Sequence, residues 1–301
     1  MKTFQLQWII SKKDVGKLVF DYVKEKKISK RALTDIKFNG GDILVNSQHV
    51  TVRYCLKEND ILTVIFPQEE RGTSLVADDV PFEIVYEDDH CLVINKPPFI
   101  PSIPSREHEK GTLANGLIKY YQQKQIPSTI HIVNRLDKDT SGLMLVAKHR
   151  FAHSLFSEQQ KKKEIHRTYE AIVHGVIDQS VGVIEKPIGR KNDSIIEREI
   201  CEDGQEAITH YQVLHTYQNK SYLKLVLETG RTHQIRVHLS SIGHPLCGDT
   251  LYGGDIAEIR RQALHSSQLS FWHPLLEKDF HFKSELPDDM KNLVNENPLT
   301  K

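Results

Sequence analysis

Hydrophobic positions recur along this chain with two periods, and the change from one to the other marks out its elements. Val15, Leu18, Val19, Tyr22 and Val23 fall at a helical spacing, which predicts a helix over residues 15–26. Ser29 can cap a second helix over 30–35, and Asn39-Gly40-Gly41 marks a turn. Strands are predicted at 43–46 and 61–65. Residues 68–80 are polar, keep neither period and read as a linker. Beyond them, strand signals at 82–85 and 91–95 flank an Asp88-Asp89 turn. Lys96-Pro97-Pro98 ends the second strand, since proline cannot donate to a ladder. Pro101 and Pro104 keep the loop that follows extended.

Helices are predicted over 112–121 and 150–161. Leu143-Met144-Leu145-Val146-Ala147 is a continuous apolar run and reads as a buried strand, entered through the polar loop 134–142. Strand signals at 167–175, 182–188, 195–200, 207–214 and 223–228 predict a strand-rich, antiparallel body. Ile235, Leu239 and Ile242 form one stripe of a helix over 231–241, closed by Gly243-His244-Pro245. A last strand at 268–271 stops before Pro274, and a short helix covers 287–293. The pattern therefore divides into a small module (1–67), a linker (68–80), a larger domain (81–295) and a frayed tail (296–301).

The 301 residues suit two domains, and 39% hydrophobic content is enough for a core in each. No apolar run approaches the length of a membrane span, and residues 1–10 lack the form of a secretory signal. The cysteines at 55, 91, 201 and 247 are scattered with no CxxC pair. That argues against a zinc ribbon or disulfide framework and suits a reducing, cytoplasmic compartment. The formal net charge of zero counts mildly against a nucleic-acid partner. Local clusters matter more: Lys24, Lys26, Lys27, Lys30 and Arg31 lie together, as do Lys161, Lys162, Lys163 and Arg167. Either cluster alone also fits a solvated helix face. His149 and His153 have a metal-ligand spacing, but no Glu follows the first His, so the zinc-protease pattern is absent.

Loop 134–142 puts Arg135, Asp137 and Asp139 at the end of a core strand, a plausible place for chemistry, although Asp and Ser are also ordinary turn formers. A second polar stretch, Thr229-Gly230-Arg231, interrupts a strand before a helix. A cation in the first turn of a helix opposes the dipole and calls for an acidic partner. Asp137 is the natural candidate, because both residues sit at strand ends and an Arg–carboxylate contact can be bidentate. An exposed Arg231 without such a partner is the competing reading.

Three spaced motifs in order resemble the RluA/RluD-type RNA pseudouridine synthases. They are Arg135-Leu136-Asp137-Lys138-Asp139-Thr140-Ser141-Gly142, Arg167-Thr168-Tyr169-Glu170-Ala171-Ile172-Val173-His174-Gly175, and Thr229-Gly230-Arg231-Thr232-His233-Gln234-Ile235-Arg236-Val237-His238-Leu239. Gly243-His244-Pro245, Gly248-Asp249 and Leu251-Tyr252-Gly253 continue the likeness, which covers about 81–285. The chain departs from the family pattern at Asn134, where His is usual, and in loop 97–104, where Lys-Pro-Ala-Gly is usual. Residues 1–67 resemble the S4-type RNA-binding module at Val45-Asn46, Val50, Val52 and Glu58-Asn59-Asp60.

The resemblance implies an α+β fold: a mixed, mostly antiparallel catalytic sheet with flanking helices, plus the small S4-like module. It implies isomerisation of uridine in RNA without cofactor or metal, ribosomal RNA being the first expectation and tRNA the second, by a protein expected to be a monomer. Asp137 becomes the reacting carboxylate, Tyr169 the ring that stacks on the uracil, and Arg231 the cation that keeps Asp137 ionised. Arg135 is expected to enter the space left by the flipped nucleotide. Thr140, His233, Gln234 and Arg236 are expected at the substrate, and Lys161–Lys163, Arg236 and His238 near phosphates. Two rivals remain: an RNA-binding protein without catalysis, and a nucleosidase or glycosidase using Asp139 as a second carboxylate.

Overall fold

The computed structural model describes residues 4–69, 75–105 and 108–294. The N-terminal part builds a four-stranded antiparallel sheet in the order β1-β4-β2-β3. Its strands are β1 (Gln5–Ile9), β2 (Asp42–Val45), β3 (Gln48–His49) and β4 (Ile61–Ile65), with helices α1 (Val19–Glu25) and α2 (Lys30–Phe38) packed on it. Strand β1 escapes the sequence pattern because its residues alternate only between exposed and half-buried. Ser29 caps α2 as expected, its hydroxyl accepting the Ala32 amide.

The larger part is a ten-stranded sheet. Its main path runs β10-β13-β14-β9-β15-β8-β6-β5. In chain order the elements are β5 (Glu83–Glu87), β6 (Cys91–Lys96), α3 (Leu113–Gln123), β7 (His131–Ile132), β8 (Ser141–Ala147), α4 (Arg150–Lys161) and β9 (His166–His174). Then come β10 (Val181–Glu185), a small ladder of β11 (Ile188–Arg190) with β12 (Arg198–Ile200), β13 (Ile208–Thr216) and β14 (Lys220–Leu227). Helix α5 (Gln234–Ser240), β15 (Leu264–His273), β16 (Lys278–Lys283) and α6 (Asp288–Leu293) complete it. Every pairing along that path is antiparallel except β15 with β8. The fold is therefore the expected α+β class with a mixed, mostly antiparallel sheet. Strand β16 goes beyond the sequence pattern. Pro274 ends β15, as proline should, but only to turn the chain back as a hairpin whose Phe280 and Phe282 pack near Tyr86.

The apolar run 143–147 lies in β8, all seven of whose residues are buried. A strand flanked on both sides and covered on both faces has no room for a polar alternation. Leu136, Tyr169, Ile235, Leu239 and Leu264 share one hydrophobic cluster with β6, β8 and β9. The elements that carry the motifs are thus packed into one core.

The N-terminal part is not hung on a free tether. Phe151 and Leu155 of α4 are buried in its hydrophobic cluster. Phe4 stacks on His149 at 3.7 Å between ring centroids, and Arg150 pairs with Asp35 at 2.9 Å. Glu69, at the start of the expected linker, is buried against His131 and Arg150. Residues 70–74 of that linker and the expected tail at 296–301 lie outside the described residues. No helix among the described residues is long and apolar enough to cross a membrane.

Candidate active site

Asp137 stands on the loop that feeds β8. Gly142 follows with φ +113°, and a Cβ there would lie 2.3 Å from the Ser266 carbonyl oxygen. Only glycine lets β8 run this close to β15. The Thr140 amide donates to the Asp137 carbonyl at 3.2 Å and closes the loop into a turn. Arg261, wholly buried, donates to the Asp139 carbonyl at 3.2 Å. Gln262 donates to the Thr140 hydroxyl, also at 3.2 Å. Asn134, which replaces the usual His, accepts the Leu145 amide at 2.8 Å and so fastens the loop to β8.

The second motif stretch turns between β14 and α5. Gln234 organises it. Its Oε1 accepts the Thr229 hydroxyl at 2.8 Å and the Arg231 amide at 3.0 Å. Its Nε2 donates to the Ile208 carbonyl and the Thr209 hydroxyl, both at 3.0 Å. His233 takes a left-handed backbone (φ 58°) that starts the helix and directs the ring inward. The Tyr252 hydroxyl oxygen accepts the Arg198 amide and lies 2.8 Å from His233 Nδ1. The Nε2 of His233 lies 3.9 Å from the Asp137 carboxylate. Burial holds this imidazole below the ordinary histidine range, against the attraction of Asp137.

The cation at Asp137 is Arg236, one turn into α5, at 3.4 Å. Its guanidinium is fixed by a bidentate pair with Asp249 at 2.7 and 2.8 Å and lies 4.9 Å from the Tyr252 ring centroid. Burial works against this charge, but the Asp249 carboxylate more than offsets it and raises Arg236 above the usual arginine range. The expected Arg231–Asp137 pair is not formed. Arg231 is carried outward by the turn, and its Nε donates to the Glu206 carbonyl at 2.9 Å. Spacing to a strand end identified the right stretch, but the start of α5 brings Arg236, five residues on from Arg231, onto the acid.

Arg135, Asp137, Arg167, Tyr169, Arg231 and Arg236 all line one open cavity of about 70 Å³. Thr140, His233 and Gln234 also contribute to its wall. Asp137 is its one acidic residue among the described residues. Its side chain is 27% exposed, so it opens onto the cavity. Tyr169 is buried with its ring in the wall. Arg135 and Arg167 have no hydrogen-bond or ion-pair partner among the described residues. A larger cavity, about 430 Å³, lies where the N-terminal part meets the sheet. Its basic residues are already engaged, Lys148 with Glu87 and Arg150 with Asp35.

Several expected contacts are corrected. Gln234 has both amide protons and both acceptor positions filled from within, so nothing remains for a substrate. Arg236 is committed to two carboxylates, Asp249 and Asp137. His238 is fully buried between Thr209 and the Lys186 carbonyl. Lys162 and Lys163 make exposed surface pairs with Glu158 and Glu228, which leave all of 161–163 open to a phosphate. Asp139 does not line the cavity, so the second carboxylate of a glycosidase is missing there. Arg167 and Asp249 were passed over as site residues, although both lie inside the quoted motifs. Arg167 sits two residues before Tyr169, which in a strand means the same face.

The His149–His153 spacing serves capping and packing. His149 Nδ1 accepts the Ala152 amide at the start of α4, and His153 stacks on His131. Asp88, Cys91 and His273 do converge within 4.8 Å. There His273 Nδ1 accepts the Leu275 and Leu276 amides, which puts its proton on Nε2, facing Asp88 at 3.1 Å. A ring nitrogen that carries a proton is not a metal ligand.

The model for the RNA pseudouridylate synthase family matches residues 90–241, which include the Asp137 loop, β9 and α5. The chain is 56% identical to the RNA pseudouridine synthase YjbO of Bacillus subtilis over 92% of its own length and 98% of that protein. It is 40% identical to ribosomal large subunit pseudouridine synthase D of Pseudomonas aeruginosa over 77% of each. Among solved structures, human RNA pseudouridylate synthase domain containing 4 superposes with a TM-score of 0.58 at 25% identity, over 70% of this chain and 91% of that one. The chain belongs to the RNA pseudouridylate synthase family.

Proposed function

We propose that this RNA pseudouridine synthase isomerises uridines of ribosomal RNA, with tRNA as the second substrate class, and that Asp137 is the reacting carboxylate. One observation carries the assignment: a single acidic side chain opens into a cavity walled by an aromatic ring and unpaired guanidinium groups. In the reaction the N1–C1′ bond breaks, the base rotates, and C5 bonds to C1′. The C5 proton leaves and N1 ends protonated, so atoms balance without redox change, hydrolysis, cofactor or metal.

Asp137 acts as nucleophile or base at the sugar or the base. Arg236 holds a positive charge 3.4 Å from it, and the Asp249 pair keeps that charge in place. Tyr169 stacks on the extruded uracil and is placed to take the C5 proton. A stacked or paired uridine must first leave its helix, which takes a few kcal/mol. Arg135, exposed beside Asp137, is suited to fill the vacated space. Arg167 and Arg231 at the cavity wall are suited to phosphate. Residues 1–67 are read as an S4-like RNA-binding module that presents Lys24, Lys26, Lys27, Lys30 and Arg31, all exposed, to the nucleic acid. Residues 81–295 form the catalytic domain in this reading. The protein works as a cytoplasmic monomer.

The test maps pseudouridines in total RNA from cells with the gene, without it, and with Asp137→Asn. Sites present only with the wild-type gene support the assignment and name the target. Persistence of those sites in the Asp137→Asn strain would remove Asp137 from the chemistry. Tight RNA binding with no pseudouridine formed by the wild-type protein favours the non-catalytic reading, and release of free uracil favours the nucleosidase.

A further inference from the structure

Loop 97–104 departs from the family pattern, and the reaction as described above leaves it without a task. In the structure it is the surface against which the Asp137 loop is set. The Ser102 hydroxyl donates to the Leu136 carbonyl at 2.6 Å and accepts the Leu136 amide at 3.3 Å. Both polar atoms of the residue before Asp137 are therefore held by one side chain. Ser102 and Leu136 are 5% and 6% exposed, so no water stands ready to replace these bonds.

On the far side of Asp137, the Lys96 ammonium donates to the Lys138 carbonyl at 2.9 Å. The same ammonium holds the Pro97 carbonyl at 2.8 Å and the Ile100 carbonyl at 2.9 Å, which fixes the proline loop to the catalytic loop. The proline loop is anchored in turn on α3. The Leu113 and Ala114 amides, at the start of that helix, donate to the Pro101 and Ser102 carbonyls at 2.8 and 3.2 Å. Helix amides that would otherwise lack partners thus fix the position of Ser102. Pro101 and Pro104 limit the ways the loop can relax.

We propose that Ser102 is a positioning residue for Asp137: through Leu136 it sets the height and direction from which the carboxylate enters the cavity. The role rests on the reading that Asp137 reacts with uridine. Ser102 does not line the cavity and has no expected contact with RNA. Its loss should therefore change the rate of the chemical step and leave substrate affinity alone.

The experiment measures tritium release in single turnovers from unmodified 23S rRNA and tRNA transcripts carrying [5-3H]uridine, with RNA affinity measured separately by filter binding. Ser102→Ala should lower the single-turnover rate by about tenfold to a hundredfold, the scale of a misplaced reacting group, with Kd unchanged. Ser102→Thr, which keeps the hydroxyl, should restore most of the rate. Ser102→Cys, similar in size but a weak donor, carries the alanine prediction should that variant not fold. A wild-type rate in Ser102→Ala or Ser102→Cys overturns the role. So does a loss shared by Ser102→Thr and matched by weaker RNA binding, which would mean general damage to the fold. If the wild-type protein releases no tritium from either transcript pool, the functional reading itself fails and takes the clamp with it.

Discussion

The two stretches that meet at the ion pair are built in opposite ways. The turn that carries Arg231 and Arg236 is organised around one of its own side chains: Gln234 binds Thr229 and Arg231 within the segment and reaches out to Ile208 and Thr209. The loop that carries Asp137 is held from outside, by Ser102, Lys96, Arg261 and Gln262, which lie far away in the chain. A self-held turn can be altered locally and fail locally. A loop held by remote partners couples its reacting group to the packing of several elements. The carboxylate is thus tied into the body of the domain, and its cation is presented by a compact device on the opposite wall.

The largest effect is expected where the two stretches touch. In Arg236→Gln the Asp249 carboxylate, 1% exposed at its side chain, loses its bidentate partner. Removing one member of a buried pair costs about 3–5 kcal/mol, which urea unfolding would register. A double variant, Arg236→Met with Asp249→Leu, should regain most of that stability while pseudouridine formation stays lost. If the double variant is active, the charge beside Asp137 is dispensable and Arg236 is a structural residue only.

Gln234→Ala comes next and tests whether the turn is as self-contained as its bonds suggest. Gln234 is 2% exposed and the variant takes the acceptor from the Thr229 hydroxyl and the Arg231 amide. A loss of about 2–3 kcal/mol follows from leaving buried groups unpaired. Hydrogen exchange should show the loosening at 229–236 with the 134–142 loop unchanged. Loosening of both would contradict the division between a self-held and an externally held stretch.

What could be read in the chain follows the same division. Segments with a clear period were legible, as with the apolar run of β8 and the capped helix α2. So was the motif triplet, which brought Asp137, Tyr169 and the 229–239 stretch together before any coordinates. The partner of Asp137 was misplaced because the reading used distance to a strand end. The actual choice between Arg231 and Arg236 depends on the left-handed His233 and the start of α5, a matter of a few backbone angles. Gln234 looked like a substrate contact because polar residues in motifs invite that reading, and only its four internal bonds show otherwise. Ser102 and Lys96 carried no signal as supports, since nothing in a proline-rich loop announces which remote carbonyl it will hold. β1 and β16 were missed for weaker reasons: half-buried edge strands alternate too faintly, and Pro274 reads equally as an end and as a hairpin.

Lys96 sharpens the comparison through pH. Burial pushes its ammonium down to about 7, below the ordinary lysine value of 10.5. The unfolded chain then binds the proton between pH 7 and 10.5 while the folded chain does not, so this group makes stability rise with pH across that window. Below pH 7 the full burden of burying the charge is present. Relative to Lys96→Met, the wild-type protein should gain up to about 1.4 kcal/mol per pH unit between pH 7 and 9. Urea unfolding of both proteins at several pH values checks it. A flat difference would mean that the three carbonyls keep the ammonium charged throughout, and the external hold on the Asp137 loop would then be independent of pH.

Arg167 gives the smallest effect and the one that bears on RNA directly. It shares a strand face with Tyr169, and its guanidinium lies against Gly230, where an added Cβ would sit 3.3 Å from Nη2. A cation with no side-chain partner among the described residues, held against that turn at the wall of the cavity, is expected to serve substrate binding and not the stability of either stretch. Neutralising one phosphate contact lowers the slope of log affinity against log salt by about one and weakens binding across sequences alike. Arg167→Gln should therefore bind RNA more weakly at low salt, approach wild-type affinity as salt rises, and retain the single-turnover rate at saturation. Gly230→Ala, which crowds the guanidinium without removing it, should shift affinity in the same direction by less. A rate defect at saturating RNA with an unchanged salt slope would place Arg167 beside the reacting base, and the division between a wall that binds and a loop that reacts would no longer hold.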